Sequence, residues 1–146
     1  MGSIKPFPMR LNSNVRLYSD DLLRINQAID FIHKSYPDKI NTLQIAIEVE
    51  INERKLRAGI KKITHLNVEQ YIAKVRVEKA KLLLEENRAP LKWIAKHTGF
   101  RDQSYFGKVF KKFTAMTPEQ YRVFILNEEQ GLSFNSSPSA SRFVTA

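Results

Sequence analysis

Residues 61–71, Lys61-Lys62-Ile63-Thr64-His65-Leu66-Asn67-Val68-Glu69-Gln70-Tyr71, return fifty positions later as residues 111–121, Lys111-Lys112-Phe113-Thr114-Ala115-Met116-Thr117-Pro118-Glu119-Gln120-Tyr121. Both lysines, the threonine and the Glu-Gln-Tyr triplet are identical. Upstream, Ile45-Ala46 matches Ile94-Ala95 at an offset of forty-nine, so one residue is inserted in the second turn. Self-similarity of this kind signals two copies of one supersecondary unit. Each copy reads as a short helix, a tight turn, a basic helix, a loop and the start of another helix. Two helices joined by a short turn, the second of them basic, form the outline of a helix-turn-helix.

Working outward from the repeat, seven helices are expected. The first spans Asp21 to Ser35, with Leu22, Ile25, Ile29 and Ile32 at spacings of three and four. The others span Thr42–Val49 behind Asn41, Glu53–Ile63 behind Asn52, Val68–Glu86 behind Asn67, Leu91–Thr98 after Pro90, Gln103–Phe113, and Pro118–Glu128. Thr117 caps the last of them, Pro118 takes the first helical position, and Gln120 completes a capping box. Only Ile45 to Ile51 alternates like a strand, and a helix fits its neighbours better. The fold class is therefore all-α: about seven helices forming two helix-turn-helix subdomains, residues 21–66 and 88–126, joined by a long linker helix, residues 67–87. Residues 1–20 read as an extension or linker. Residues 127–146, with five serines and no continuous apolar face, read as a disordered tail.

The chain of 146 residues carries 24 Lys and Arg against 15 Asp and Glu, a net charge of +9. A balance this basic points to a polyanion, most often nucleic acid. The charge is also focused. Glu53 to Thr64 holds five cations against one acid, and Arg101 to Lys112 four against one. Each of these helices splits into an apolar stripe and a basic remainder. Leu56, Ile60 and Ile63 form the first stripe; Phe106, Val109, Phe110 and Phe113 form the second. Phe100 and Trp93 join the core on the same periodicity, and Tyr71 and Tyr121 serve as core or cap residues. The nineteen-residue linker helix is about 28 Å long at ~1.5 Å per residue. Successive major-groove segments on one duplex face lie roughly 34 Å apart, so such a rod suits two reading helices in adjacent grooves.

Other function classes are disfavoured. Apolar runs are too short for a transmembrane helix, and no signal peptide or myristoylation signal opens the chain. There is no cysteine, which suits a reducing cytoplasm, where a DNA binder would be nucleoid-associated. His33, His65 and His97 stand on separate elements without ligand spacing, so no metal is expected. No nucleophile with a nearby base and no glycine-rich phosphate loop is present. The chain reads as no enzyme, with no cofactor.

Arg76-Val77-Glu78-Lys79-Ala80-Lys81-Leu82-Leu83-Leu84, Ile94-Ala95-Lys96-His97-Thr98-Gly99-Phe100-Arg101-Asp102-Gln103-Ser104-Tyr105-Phe106 and Thr117-Pro118-Glu119-Gln120-Tyr121-Arg122 resemble the AraC/XylS family of bacterial transcription regulators. The resemblance runs from about Leu22 to Phe124. It implies a sequence-specific regulator of transcription that inserts two recognition helices into adjacent major grooves of double-stranded DNA. It places base contacts at Arg54, Arg57 and Ala58 in the first unit, and at Gln103, Ser104, Tyr105, Gly107 and Lys108 in the second. Arginine pairs bidentately with guanine and glutamine with adenine. Lys55, Lys61, Lys62, Arg101, Lys111 and Lys112 suit phosphates, which set register.

Three residues depart from the family pattern. Ala58 stands where arginine is frequent, Gly59 where a larger apolar residue is usual, and Glu50 where the first turn has a small residue. These departures predict a first reading head that is looser or that reads a different sequence. The resemblance also implies RNA polymerase as a second protein partner, no membrane, a monomeric DNA-binding module and a dimeric full-length protein. The chain would then be a stand-alone small member or the C-terminal piece of a longer regulator. The competing reading is a basic module binding an acidic protein. An RNA binder, third, lacks the exposed aromatics that stack on single-stranded bases.

Overall fold

The computed structural model describes residues 15–86 and 89–131. Most of the expected N-terminal extension and most of the expected disordered tail lie outside these residues. The described residues form seven helices and no strand: α1 (Ser19–Ser35), α2 (Thr42–Glu48), α3 (Glu53–Thr64), α4 (Val68–Glu86), α5 (Leu91–His97), α6 (Gln103–Thr114) and α7 (Pro118–Glu129). The all-α expectation holds. Most boundaries fall within one residue of those read from the sequence, with α1 the exception. It begins two residues early, because the Tyr18 N–H donates to Asp21 Oδ2 at 2.9 Å and makes Asp21 the third helical residue. This backbone hydrogen bond, helped by Lys55 Nζ at 3.0 Å, holds the Asp21 carboxyl below its usual 3.8.

The expected caps are in place. Asn52 Oδ1 accepts from Lys55 N at 2.8 Å, and its counterpart Asp102 Oδ1 accepts from Tyr105 N at 2.7 Å. Asn67 and Gln70 exchange hydrogen bonds of 2.8 and 2.9 Å; Thr117 and Gln120 do so at 3.1 and 2.9 Å. Helix C-termini repeat too. The Thr64 hydroxyl donates to Ile60 O, and Leu66 N donates to that hydroxyl; Thr114 does the same with Phe110 O and Met116 N. The following residues, His65 and Ala115, both adopt the left-handed conformation, with φ of 65° and 68°.

The turns locate the inserted residue. Ile51 N donates to Ala46 O and Phe100 N to Ala95 O, a pair still at offset forty-nine. The caps Asn52 and Asp102 are already at offset fifty. Arg101 is therefore the addition. Within the turns Glu50 has φ 58° and Gly99 has φ 97°. A residue with a Cβ is strained there by about 1–2 kcal/mol. Glu50 also makes a 3.5 Å ion pair with Arg24, both partly in solvent, worth at most about 1 kcal/mol. Glu50→Gly is accordingly expected to raise stability slightly and Gly99→Ala to lower it by about 1–2 kcal/mol. Urea midpoints that move together in one direction would contradict this.

The fold divides between Arg76 and Val77, inside α4. In the first unit α1, α2 and α3 pack mutually. Its core holds Ile25, Ile32, Ile45, Leu56 and Ile60, joined by Val68, Ile72 and Val75 from the first half of α4. In the second unit α6 packs on α5 and α7, and Phe106, Phe110, Ile94 and Tyr121 meet Val77, Ala80 and Leu84 from the second half of α4. The linker helix thus donates one apolar face to each core.

Four aromatic and apolar assignments need correction, the first being Leu22 of the α1 stripe, which is 36% exposed. Trp93 is 42% exposed and stacks on His97, ring centroids 3.7 Å apart. Phe113 and Ile63 are also exposed, at 36% and 42%. They are repeat partners, each in the last turn of its helix.

Candidate nucleic-acid interface

Helix α6 is built to hold one face inward. Phe106 and Phe110, one turn apart, are fully buried, and Phe100 and Tyr121 extend them into an aromatic series. The Tyr121 hydroxyl, its pKa pushed up by burial and by Glu85, donates to Glu85 Oε2 at 2.5 Å. The opposite face is then in solvent. Gln103, Ser104, Gly107, Lys108 and Lys111 follow one another at spacings of one and three, and with Thr117 they line a shallow open depression. At its N-terminal end the Arg101 guanidinium lies 4.4 Å from the Tyr105 ring centroid, a cation–π contact. Its ion pair with Asp102 is long, 3.7 Å, and solvent-exposed. Among the described residues Lys108, Lys111 and Lys112 have no ion-pair partner and are exposed.

Helix α3 has the same division with different occupants. Arg54, Arg57 and Lys61 share its outer face. Arg54 is exposed and has no ion-pair partner among the described residues. Arg57 is held at both ends: Nη2 meets Glu53 Oε2 at 3.0 Å, and Nη1 lies 3.7 Å from Glu69 Oε1. Lys55 turns back toward α1, where Nζ pairs with Asp21 at 3.0 Å and lies 5.5 Å from the Tyr18 ring. Lys62 is exposed and Lys61 half-buried. Ala58 is buried, at 6% exposure, so the family position it occupies presents no base-contacting side chain here.

Gly59 is also reinterpreted. An added Cβ would fall 1.8 Å from Ile25 Cδ1. The glycine lets α3 lie close against α1, so it tightens this unit where looseness was expected. The two carboxylates around Arg57 were not anticipated. Glu53 stands four residues before Arg57, a spacing that favours an ion pair and could have been read. Glu69 comes from another helix and left no local signal. The premise against an RNA binder also changes, because Trp93 and Tyr105 are exposed. One face of each ring is already covered, by His97 and Arg101. Among the described residues no group of three or more His, Asp or Glu could hold a metal, and no helix is long and apolar enough to cross a membrane.

Two helix pairs, each with a capped basic second helix presenting polar side chains outward, define a duplicated helix-turn-helix domain. A profile described as a helix-turn-helix domain matches residues 45–123. The Msm operon regulatory protein of Streptococcus mutans is 28% identical over 128 residues, covering 85% of this chain and 44% of that protein. The HTH-type transcriptional activator RhaR of Escherichia coli K12 is 39% identical over 75 residues, covering 51% of this chain and 27% of that one. Among solved structures, the C-terminal domain of AraT, a response regulator from Geobacillus stearothermophilus, superimposes with a TM-score of 0.65 at 28% identity, covering 74% of this chain and 87% of the other. The chain belongs to the AraC/XylS family of bacterial transcription regulators, and its paired helix-turn-helix units are that family's DNA-binding domain. Family and fold are those of regulators, which are not enzymes. The chain spans less than half the length of the curated relatives it matches.

Proposed function

We propose that this chain regulates transcription by seating α3 and α6 in adjacent major grooves of one duplex, with Arg54, Arg57, Gln103, Ser104, Tyr105 and Lys108 reading bases. The observation that carries this reading is the outward face of α6. Gln103, Ser104, Lys108 and Lys111 stand together there, uncovered, with Gly107 leaving room for close approach. Glutamine supplies a donor and an acceptor for adenine, and lysine donates to guanine. Lys61, Lys62, Lys111 and Lys112 flank these positions and suit phosphates, with Arg101 at the N-terminal end of α6. Lys55 joins them only by leaving Asp21. RNA polymerase as a second partner is an extension from relatives named as operon regulators and an activator. The binding module is proposed to be monomeric, and the full-length regulator, if longer than this stretch, dimeric.

The test is selection of bound duplexes from a random pool, followed by competition between the selected duplex, an unrelated duplex, single strand and RNA. Arg57→Ala and Gln103→Ala should each cost roughly 1–3 kcal/mol on the selected duplex and little on the unrelated one. Equal losses on both would turn these residues into general polyanion contacts. Lys111→Ala should weaken binding to every duplex and reduce the slope of log affinity against log salt by about one. An unchanged slope would remove Lys111 from the phosphate set.

A further inference from the structure

The bracket around Arg57 has no counterpart in the second unit, although the two units repeat so closely elsewhere. At the repeat-equivalent positions Glu53, Arg57 and Glu69 become Gln103, Gly107 and Glu119. In the first unit the arrangement is anchored. Glu53 Oε2 accepts from Arg57 Nη2 at 3.0 Å, within α3. Glu69 reaches across from α4, and its Oε2 accepts from the hydroxyl of Thr42 at 3.0 Å, a side chain 2% exposed. The residue at the position equivalent to Thr42 is Leu91, which offers no such hydroxyl. Arg57 itself remains partly in solvent, 43% exposed, on the outer face it shares with Arg54.

Resting on the DNA-reading function above, we propose that Glu53 and Glu69 are positioning residues that reserve Arg57 for a base edge. A guanidinium is a rigid fork of five donors. Two of its ends are engaged by carboxylates, so its plane is set before DNA arrives and fewer rotamers are lost on binding. The same carboxylates make phosphate a poor ligand for it. A backbone phosphate that met Arg57 would bring a third negative charge beside two that are already there. A guanine edge, which offers neutral acceptors at O6 and N7, carries no such repulsion. The bracket therefore acts chiefly against unrelated duplex, where binding is almost wholly phosphate contact. Specificity then rises in the first unit because wrong binding is weakened.

The test compares wild type with Glu53→Gln, Glu69→Gln and the double variant. Both substitutions keep side-chain length, and in Glu69→Gln the amide oxygen still accepts from Thr42. Affinity is measured by fluorescence anisotropy for a random-sequence duplex and for a duplex selected from a random pool, over a salt series. The double variant should bind the random duplex roughly three- to ten-fold more tightly at about 0.1 M salt, with a salt slope steeper by about one. Its preference for the selected duplex should fall accordingly. In an Arg57→Ala background both changes should vanish, and Glu119→Gln should reproduce neither. An unchanged slope, or the same gain without Arg57, would overturn the proposal, the latter by reducing it to plain charge repulsion. If wild type itself holds selected and random duplex equally, the DNA-reading function fails first, and the wild-type arm alone shows it.

Discussion

Phe110→Ala should destabilise the second unit by about 3–5 kcal/mol, the usual cost of emptying a buried aromatic site. Phe110 is fully buried and sits in the middle of the aromatic series, 5.7 Å from the Phe106 centroid and 5.6 Å from Tyr121, both edge-on. Such pairs contribute about 0.5–1.5 kcal/mol each beyond the area they bury. A unit of this size has only about 3–5 kcal/mol to lose, so much of it should be unfolded at room temperature. Phe110→Leu, a smaller change, keeps it measurable. Trp93 is the chain's sole tryptophan and belongs to this unit, so its fluorescence in urea follows the transition. The first unit has its own core cluster, and the circular dichroism it contributes should survive. A loss below about 1 kcal/mol would mean that the aromatic series does not hold α6. Because Phe106 and Phe110 fix which side of α6 faces solvent, the variant should also lose the contribution to DNA discrimination proposed for Gln103 and Lys108. The core and the proposed reading face are two sides of one helix.

The fold was largely legible because its signals are local and occur twice. Asn52, Asn67, Asp102 and Thr117 sit at the starts of helices, where their side chains accept from backbone N–H groups. The offset of fifty between the copies pairs each start with another. Surface and core were less legible. Trp93 joins the core when its spacing is counted from the phenylalanines that follow it, yet Leu91, Ile94, Ala95 and Thr98 form the inward set of α5, and Trp93 lies off it. Applied strictly, the helical period would have placed it correctly. Phe113 and Ile63 failed in a different way: they follow the period, yet each stands in the last turn of its helix with its side chain exposed. Of the site, the exposed residues of α6 followed from the amphipathic split. What α3 does with its basic side chains did not, since Lys55 and Arg57 are partnered by Asp21 and Glu69, which are distant in sequence. A repeat carries local geometry from one copy to the other and says nothing of ion pairs present in only one.

Gly59 separates propensity from packing. In a helix interior alanine is favoured over glycine by about 1 kcal/mol, so local preference alone predicts that Gly59→Ala stabilises. The structure predicts the reverse. The new Cβ would lie 1.8 Å from Ile25 Cδ1, 2.7 Å from Cγ1 and 3.3 Å from Cγ2. Ile25 is fully buried, and a close-packed interior leaves it little space to turn into. Overpacking of this kind costs typically about 1–3 kcal/mol, and a net loss in that range is expected in the urea midpoint of the first unit. Ile25→Val removes the atom in closest conflict. Alone it should cost about 0.5–1.5 kcal/mol; in the Gly59→Ala background it should cost much less or restore stability, a coupling that a double-mutant cycle reads directly. Gly107 is the control on the other helix. Nothing lies within 4 Å of a Cβ placed there, so Gly107→Ala should stabilise by up to about 1 kcal/mol while hindering close approach of a duplex. A Gly59→Ala variant as stable as Gly107→Ala would show that α3 can move off α1 at little cost, and the packing role assigned to Gly59 would be wrong.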